Sequence, residues 1–126
     1  MFASKILYMI VIADSGSTKC SWAICDSSGQ IIDRCSTIGF NPYFITSAKV
    51  YKHLKDSGLE EIKDNIIEVY FYGAGCSSKK MNAIIEKPFT EFFSNAKINI
   101  HHDLAAACYS MYEGEPAITG ILGTGS

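Results

Sequence analysis

Positions 6–13 are apolar without interruption, and a run of that length closed by turn residues predicts a strand buried on both faces. The pattern then changes to period two. Cys20, Trp22 and Ile24 alternate with Ser21, Ala23 and Cys25, Ser27-Ser28-Gly29 makes a tight turn, and 30–37 resumes as a third strand. Together these segments predict a three-stranded antiparallel meander, broken at Gly39-Phe40-Asn41-Pro42.

Helical spacing takes over after the break. Thr46 is placed to cap a helix with Val50, Tyr51 and Leu54 on one face, closed by Gly58. An apolar strand at 66–72 ends in Gly73-Ala74-Gly75. Ser77 or Ser78 caps a second helix, with Met81, Ile84, Ile85, Phe89, Phe92 and Phe93 at helical intervals, and Pro88 predicts a kink or a split in it. A strand at 97–101, a helix opened by Asp103 and reaching Tyr112, and a strand at 117–122 complete the pattern. The order β-β-β-α-β-α-β-α-β predicts an α/β domain of ribonuclease H-like arrangement, a mixed sheet flanked by helices. No repeat, low-complexity segment or linker interrupts it, so 1–126 reads as one domain.

Composition agrees. At 126 residues and 48% apolar content, the chain can bury a substantial core. Charged residues make up 19% and the net charge is −2, which gives no electrostatic footprint for nucleic acid or an anionic membrane. No apolar run approaches the ~20 residues of a membrane span. The run at 6–13 has one preceding lysine and no small-residue cleavage site, so it is not read as a secretory signal. The five cysteines (20, 25, 35, 76 and 108) lack metal-site spacing, and Cys20 and Cys25 fall on opposite faces of one strand. Reduced thiols in a cytoplasmic protein are expected.

Two strand ends carry candidate chemistry. The first apolar run delivers Asp14-Ser15-Gly16-Ser17-Thr18-Lys19, and the last delivers Gly123-Thr124-Gly125-Ser126. Backbone N–H groups in such turns can surround a phosphate, and Gly16 permits close approach. Asp14, at a strand end, suits a hydrated Mg²⁺, which takes one or two carboxylates plus waters. The same residues are ordinary in a hairpin turn, and the Walker spacing is absent. Asp14-Ser15-Gly16-Ser17 also looks like the active-site motif of aspartic proteases, where two aspartates share a proton. A dimeric protease using Asp14 is therefore an alternative, opposed by the helical stretches, since those proteases are nearly all β.

Asn41-Pro42 reads as turn punctuation, while its amide would suit a polyhydroxylated ligand. Asp103 is a good helix cap. Past a strand's carboxyl end it is also placed to act as a base on a hydroxyl. Its neighbours His101 and His102 point to opposite faces of a strand, so joint metal chelation is not expected. His53 reads as part of a solvated helix face.

In this order the elements resemble the actin-like ATPase superfamily of sugar kinases, actin and heat-shock chaperones. Within it they are most similar to the N-acetylglucosamine kinase family, grouped with the BadF/BadG/BcrA/BcrD ATPases. The matching stretches are Asp14-Ser15-Gly16-Ser17-Thr18-Lys19, Phe40-Asn41-Pro42, Gly73-Ala74-Gly75, His102-Asp103-Leu104-Ala105-Ala106-Ala107 and Ile121-Leu122-Gly123-Thr124-Gly125-Ser126. The resemblance implies ATP and Mg²⁺, with Asp14 holding the metal through water and Ser15, Gly16, Ser17, Thr18 and Lys19 forming a first phosphate loop. It implies Asn41 and Asp103 on the sugar, Asp103 as base, and Gly123, Thr124, Gly125 and Ser126 opening a second phosphate loop with Thr124 on ATP.

The implied reaction is phosphorylation of N-acetylglucosamine or a related hexose. The alternative within the grouping is an activator that uses ATP to drive electron transfer from an iron–sulfur cluster; Asn41 and Asp103 favour the kinase. The family is longer than this chain, so the chain is expected to be an N-terminal lobe, inactive alone. Its expected partners are a sugar and ATP, with no nucleic acid or membrane. A strand edge at Ile118, Ile121 and Leu122, and uncovered aromatics such as Phe92 and Phe93, predict a homo-oligomer.

Overall fold

The hairpin ladder reaches two residues past the apolar run. In a computed structural model, which describes residues 8–16 and 18–102, strand β1 (Met9–Ser15) pairs antiparallel with β2 (Lys19–Asp26), and the last pairs are Asp14↔Ser21 and Ser15↔Cys20. Asp14 and Ser15 are thus strand residues, where the sequence put them in the turn. β2 continues into β3 (Ile31–Ile38) through a turn organised by Asp26. Its carboxylate accepts from the Ser28 N–H at 2.9 Å, the Ser28 hydroxyl at 2.6 Å and the Gln30 N–H at 3.0 Å, and Gly29 adopts φ 94°.

Helix α1 (Ser47–Lys55) starts as its sequence requires, with the Thr46 hydroxyl accepting from the Lys49 N–H at 3.3 Å. It stops before Gly58. The Asp56 N–H closes on Lys52 O and the Ser57 hydroxyl takes Leu54 O at 2.6 Å, so the last carbonyls are satisfied without a left-handed glycine. Gly58 instead begins the first of two 3₁₀ turns, Gly58–Glu61 and Lys63–Asn65.

Strand β4 (Ile66–Gly73) then pairs parallel with β1, and helix α2 (Lys79–Phe92), capped by Ser78, leads to β5 (Lys97–His101), parallel with β4. Among the described residues the mixed sheet has five strands in the order β3-β2-β1-β4-β5, so the meander lies on one side and the parallel strands on the other.

Of the kink or split expected at Pro88, the split does not occur: helix α2 runs unbroken through it. Proline has no N–H to donate to the carbonyl four residues back, at Ile84. The Ser47 hydroxyl donates to that oxygen at 2.8 Å, so a neighbouring helix supplies the missing donor.

One sheet face packs against both helices. Val11, Ala13, Trp22, Ile24, Val69 and Phe71 meet Val50, Leu54, Ile85, Phe89 and Phe92 in one apolar cluster. Phe92 and Phe93 are fully buried, contrary to the expected loss of cover, and Phe93 packs against Trp22, Phe89 and Phe92. Ile12, Ala23, Cys25 and Tyr72, on the opposite face, are also buried. Cys20 and Cys25 lie on opposite faces as expected, and none of the four described cysteines is in a disulfide. The open mixed sheet with two helices is not the nearly all-β architecture on which the protease alternative depends. Among the described residues no helix is long and apolar enough to cross a membrane. The expected helix from Asp103, the expected strand at 117–122, and Cys108 lie outside the described residues.

Candidate functional site

Ser15 ties three chain segments together at the carboxyl end of β1. Its side chain is 3% exposed and turned to the helix side of the sheet, where the hydroxyl accepts from the Phe40 N–H at 2.8 Å. Its carbonyl accepts from the Ala74 N–H at 3.3 Å. The break after β3 and the turn after β4 are thereby both drawn to the first hairpin. The Gly73-Ala74-Gly75 turn then reaches Asn41. A Cβ on Gly75 would lie 2.5 Å from Asn41 Oδ1, and Gly75 also adopts φ +86°, so only glycine suits that position.

Asn41 is held from its own side as well. Its Oδ1 accepts from the Tyr43 N–H at 3.0 Å, and its carbonyl accepts from the Phe44 N–H at 2.8 Å. With Oδ1 engaged, the amide NH₂ has no protein acceptor among the described residues, which leaves it two donors for a ligand.

The hairpin turn is partly committed to its own closure. The Gly16 N–H donates to Lys19 O at 2.8 Å, so it is not offered to a phosphate. The Ser15 hydroxyl accepts from the Phe40 N–H and donates to Gly16 O at 3.3 Å, so its proton is engaged as well. Thr18 and Lys19 are exposed, and Ser17 lies outside the described residues.

Asp14 points to the other face, between Ser21 and Tyr72 in register. One strand further, Tyr72 stacks on His101 with ring centroids 5.0 Å apart. Burial pushes the Asp14 carboxyl above its ordinary pKa and the His101 imidazole below its own. No hydrogen bond or ion pair from a described residue reaches Asp14. Among the described residues no three His, Cys, Asp or Glu side chains converge as a metal cage. A single half-buried, unpaired carboxylate fits a hydrated Mg²⁺, whose remaining ligands are waters and phosphate oxygens.

The structure thus brings the Asp14–Lys19 hairpin, Asn41 and the Gly73–Gly75 turn to the carboxyl ends of β1 and β4. This is where open α/β sheets bind ligands. His101 ends β5 at the same edge, His102 follows it outside the strand, and Asp103 is the next residue in sequence. Asp103, Gly123, Thr124, Gly125 and Ser126 lie outside the described residues. Beneath the turn, Cys76 is buried and its thiol is pushed up to about 11 by desolvation, which keeps it protonated and unreactive.

A cleft of about 220 Å³ opens beside Asn41. Thr18, Ile38, Gly39, Asn41, Phe44, Ile45, Lys49 and His53 line it. His53 is half-buried here, where the sequence placed it on a solvated face. Lys49, Phe44 and His53 escaped sequence reasoning as site residues. Their one signal was the i, i+4 spacing of Lys49 and His53, which is common on any helix. No family model matches the chain, and no curated protein matches it.

Proposed function

We propose that this chain is the first lobe of an ATP-dependent sugar kinase with a ribonuclease H-like, actin-like fold. In this reading it phosphorylates N-acetylglucosamine or a related hexose in a protein that carries a second lobe. The observation that carries the reading is the junction at Ser15, which holds the first hairpin, Asn41 and the glycine turn together at the carboxyl ends of parallel strands. A mixed sheet in which β1, β4 and β5 run parallel beside an antiparallel meander supports the reading. Phosphoryl transfer asks chiefly for positioning and charge stabilisation, and loops converging on one sheet edge suit that task.

Thr18 and Lys19, with Ser17, approach the phosphates from the first hairpin. Gly123, Thr124, Gly125 and Ser126 are assigned to the opening of a second phosphate loop, with Thr124 on ATP. Asn41 donates its NH₂ to a sugar oxygen. Asp103 accepts the proton of the acceptor hydroxyl as that oxygen bonds to the γ-phosphorus and the bond to the bridging oxygen of ADP breaks. Mg²⁺, held through water on Asp14, supplies neutralisation of phosphate charge when bound. A coupled assay on the two-lobed protein, with MgATP and a panel of hexoses and N-acetylhexosamines, tests the reading. Sugar-dependent ADP release is expected for at least one of them. ATP turnover indifferent to every sugar would overturn it in favour of an ATPase activator.

A further inference from the structure

The cleft beside Asn41 carries more charge than an uncharged sugar calls for. Lys49 and His53 stand one helical turn apart on α1 and both line it. Neither forms an ion pair with a described residue, and no lining residue is acidic. Lys49 brings a positive charge and His53 a ring nitrogen to the cleft from neighbouring turns of one helix, a pairing that suits an anion. Two further lining residues, Phe44 at 80% exposed and Ile38 at 42% exposed, leave large apolar groups in water. The volume falls below the ~300–1,000 Å³ of drug-sized pockets, which suits a ligand the size of one sugar ring.

We propose that this cleft binds a monosaccharide carrying a phosphate group. The carbon–hydrogen face of the ring lies on Phe44, whose ring face is electronegative. The Asn41 NH₂ donates to a ring substituent, and the phosphate sits between Lys49 Nζ and the His53 imidazole. Lysine is a common phosphate binder, acting as a point charge, and no lining acid opposes the anion. The inference rests on the kinase reading only for the choice of a sugar; the anion follows from the cleft itself.

Calorimetric titration of the full 126-residue chain tests it, with glucose 6-phosphate, glucose 1-phosphate, glucose, glucuronate and inorganic phosphate as probes. At least one sugar phosphate should bind about tenfold or more tighter than glucose and inorganic phosphate, a gap of about 1.4 kcal/mol. Lys49→Ala should remove that preference, Lys49→Arg should restore most of it, and Phe44→Ala should weaken sugar and sugar phosphate alike. Lys52→Ala, which removes an equal charge from the same helix outside the cleft, should change nothing. These side chains are exposed or half-buried, so the variants should keep the parent's circular dichroism. Equal affinity for glucose and its phosphates, indifference to Lys49→Ala, or an equal response to Lys52→Ala would overturn the proposal. Tighter binding of glucuronate would overturn the assignment of phosphate. No ATP is present, so failure here is distinct from failure of phosphoryl transfer.

Discussion

At the scale of single residues, Ser15 carries the most consequence. Its hydroxyl satisfies a buried backbone N–H 25 residues away, at Phe40. Ser15→Ala leaves that donor unpaired, and chemical denaturation should show a loss of about 1–3 kcal/mol. Gly75→Ala should also destabilise, because the new Cβ collides with Asn41 Oδ1 and an alanine is strained at φ +86°. It should weaken sugar binding too, since Asn41 must move. Asp14 behaves in the opposite sense. Burial raises its folded pKa above the ordinary 3.8, so the folded chain holds a proton more tightly than the unfolded one. Stability from this group is therefore present at low pH and is lost as pH rises from the ordinary value through the folded one. Asp14→Asn should flatten that limb in melts recorded across the acid range without loss of stability at pH 7. A wild-type limb running the other way would mean that Asp14 is held by a positive partner.

At the scale of elements, the pairing of Ser47 with Ile84 explains how a proline sits inside α2 without breaking it. Ser47→Ala should cost roughly 1 kcal/mol by removing the donor to Ile84 O. In a Pro88→Ala background the restored N–H serves that carbonyl, and the cost of Ser47→Ala should shrink. Equal costs in both backgrounds would show that the two residues act independently. This is also where sequence reading met its limit. Alternation in β2, the cap at Thr46, a second cap narrowed to Ser77 or Ser78, and the extent of β5 were all legible because each depends on residues close in the chain. The fate of Pro88 depended on the Ser47 hydroxyl, which lies 37 residues from the Ile84 carbonyl it serves. The site divided along the same line. Asp14, Thr18 and Asn41 stood out as strand-end or turn residues with useful chemistry, but their convergence depends on Ser15, whose hydroxyl looked like one more phosphate donor. Lys49 and His53 gave no local sign that their side of α1 faces a cleft.

At the scale of the whole molecule, a kinase cleft is closed by two lobes, and closure excludes water and completes the site. The 126-residue chain alone should therefore show no micromolar affinity for MgATP by calorimetry. Such affinity would mean that the nucleotide site is self-contained. Sedimentation tests the expected self-association of the chain; a sharp monomer would count against it.

The central claim is that this sheet edge directs phosphoryl transfer to a sugar with Asp103 as the base. The most direct measurement compares the two-lobed protein with its Asp103→Asn variant, following sugar phosphate formation from MgATP and nucleotide affinity side by side. The account predicts that the variant binds MgATP nearly as well as the parent while transfer falls by at least about 10²-fold, the low end of what general-base catalysis supplies. Transfer at the parent's rate would reduce Asp103 to a helix cap and contradict the claim.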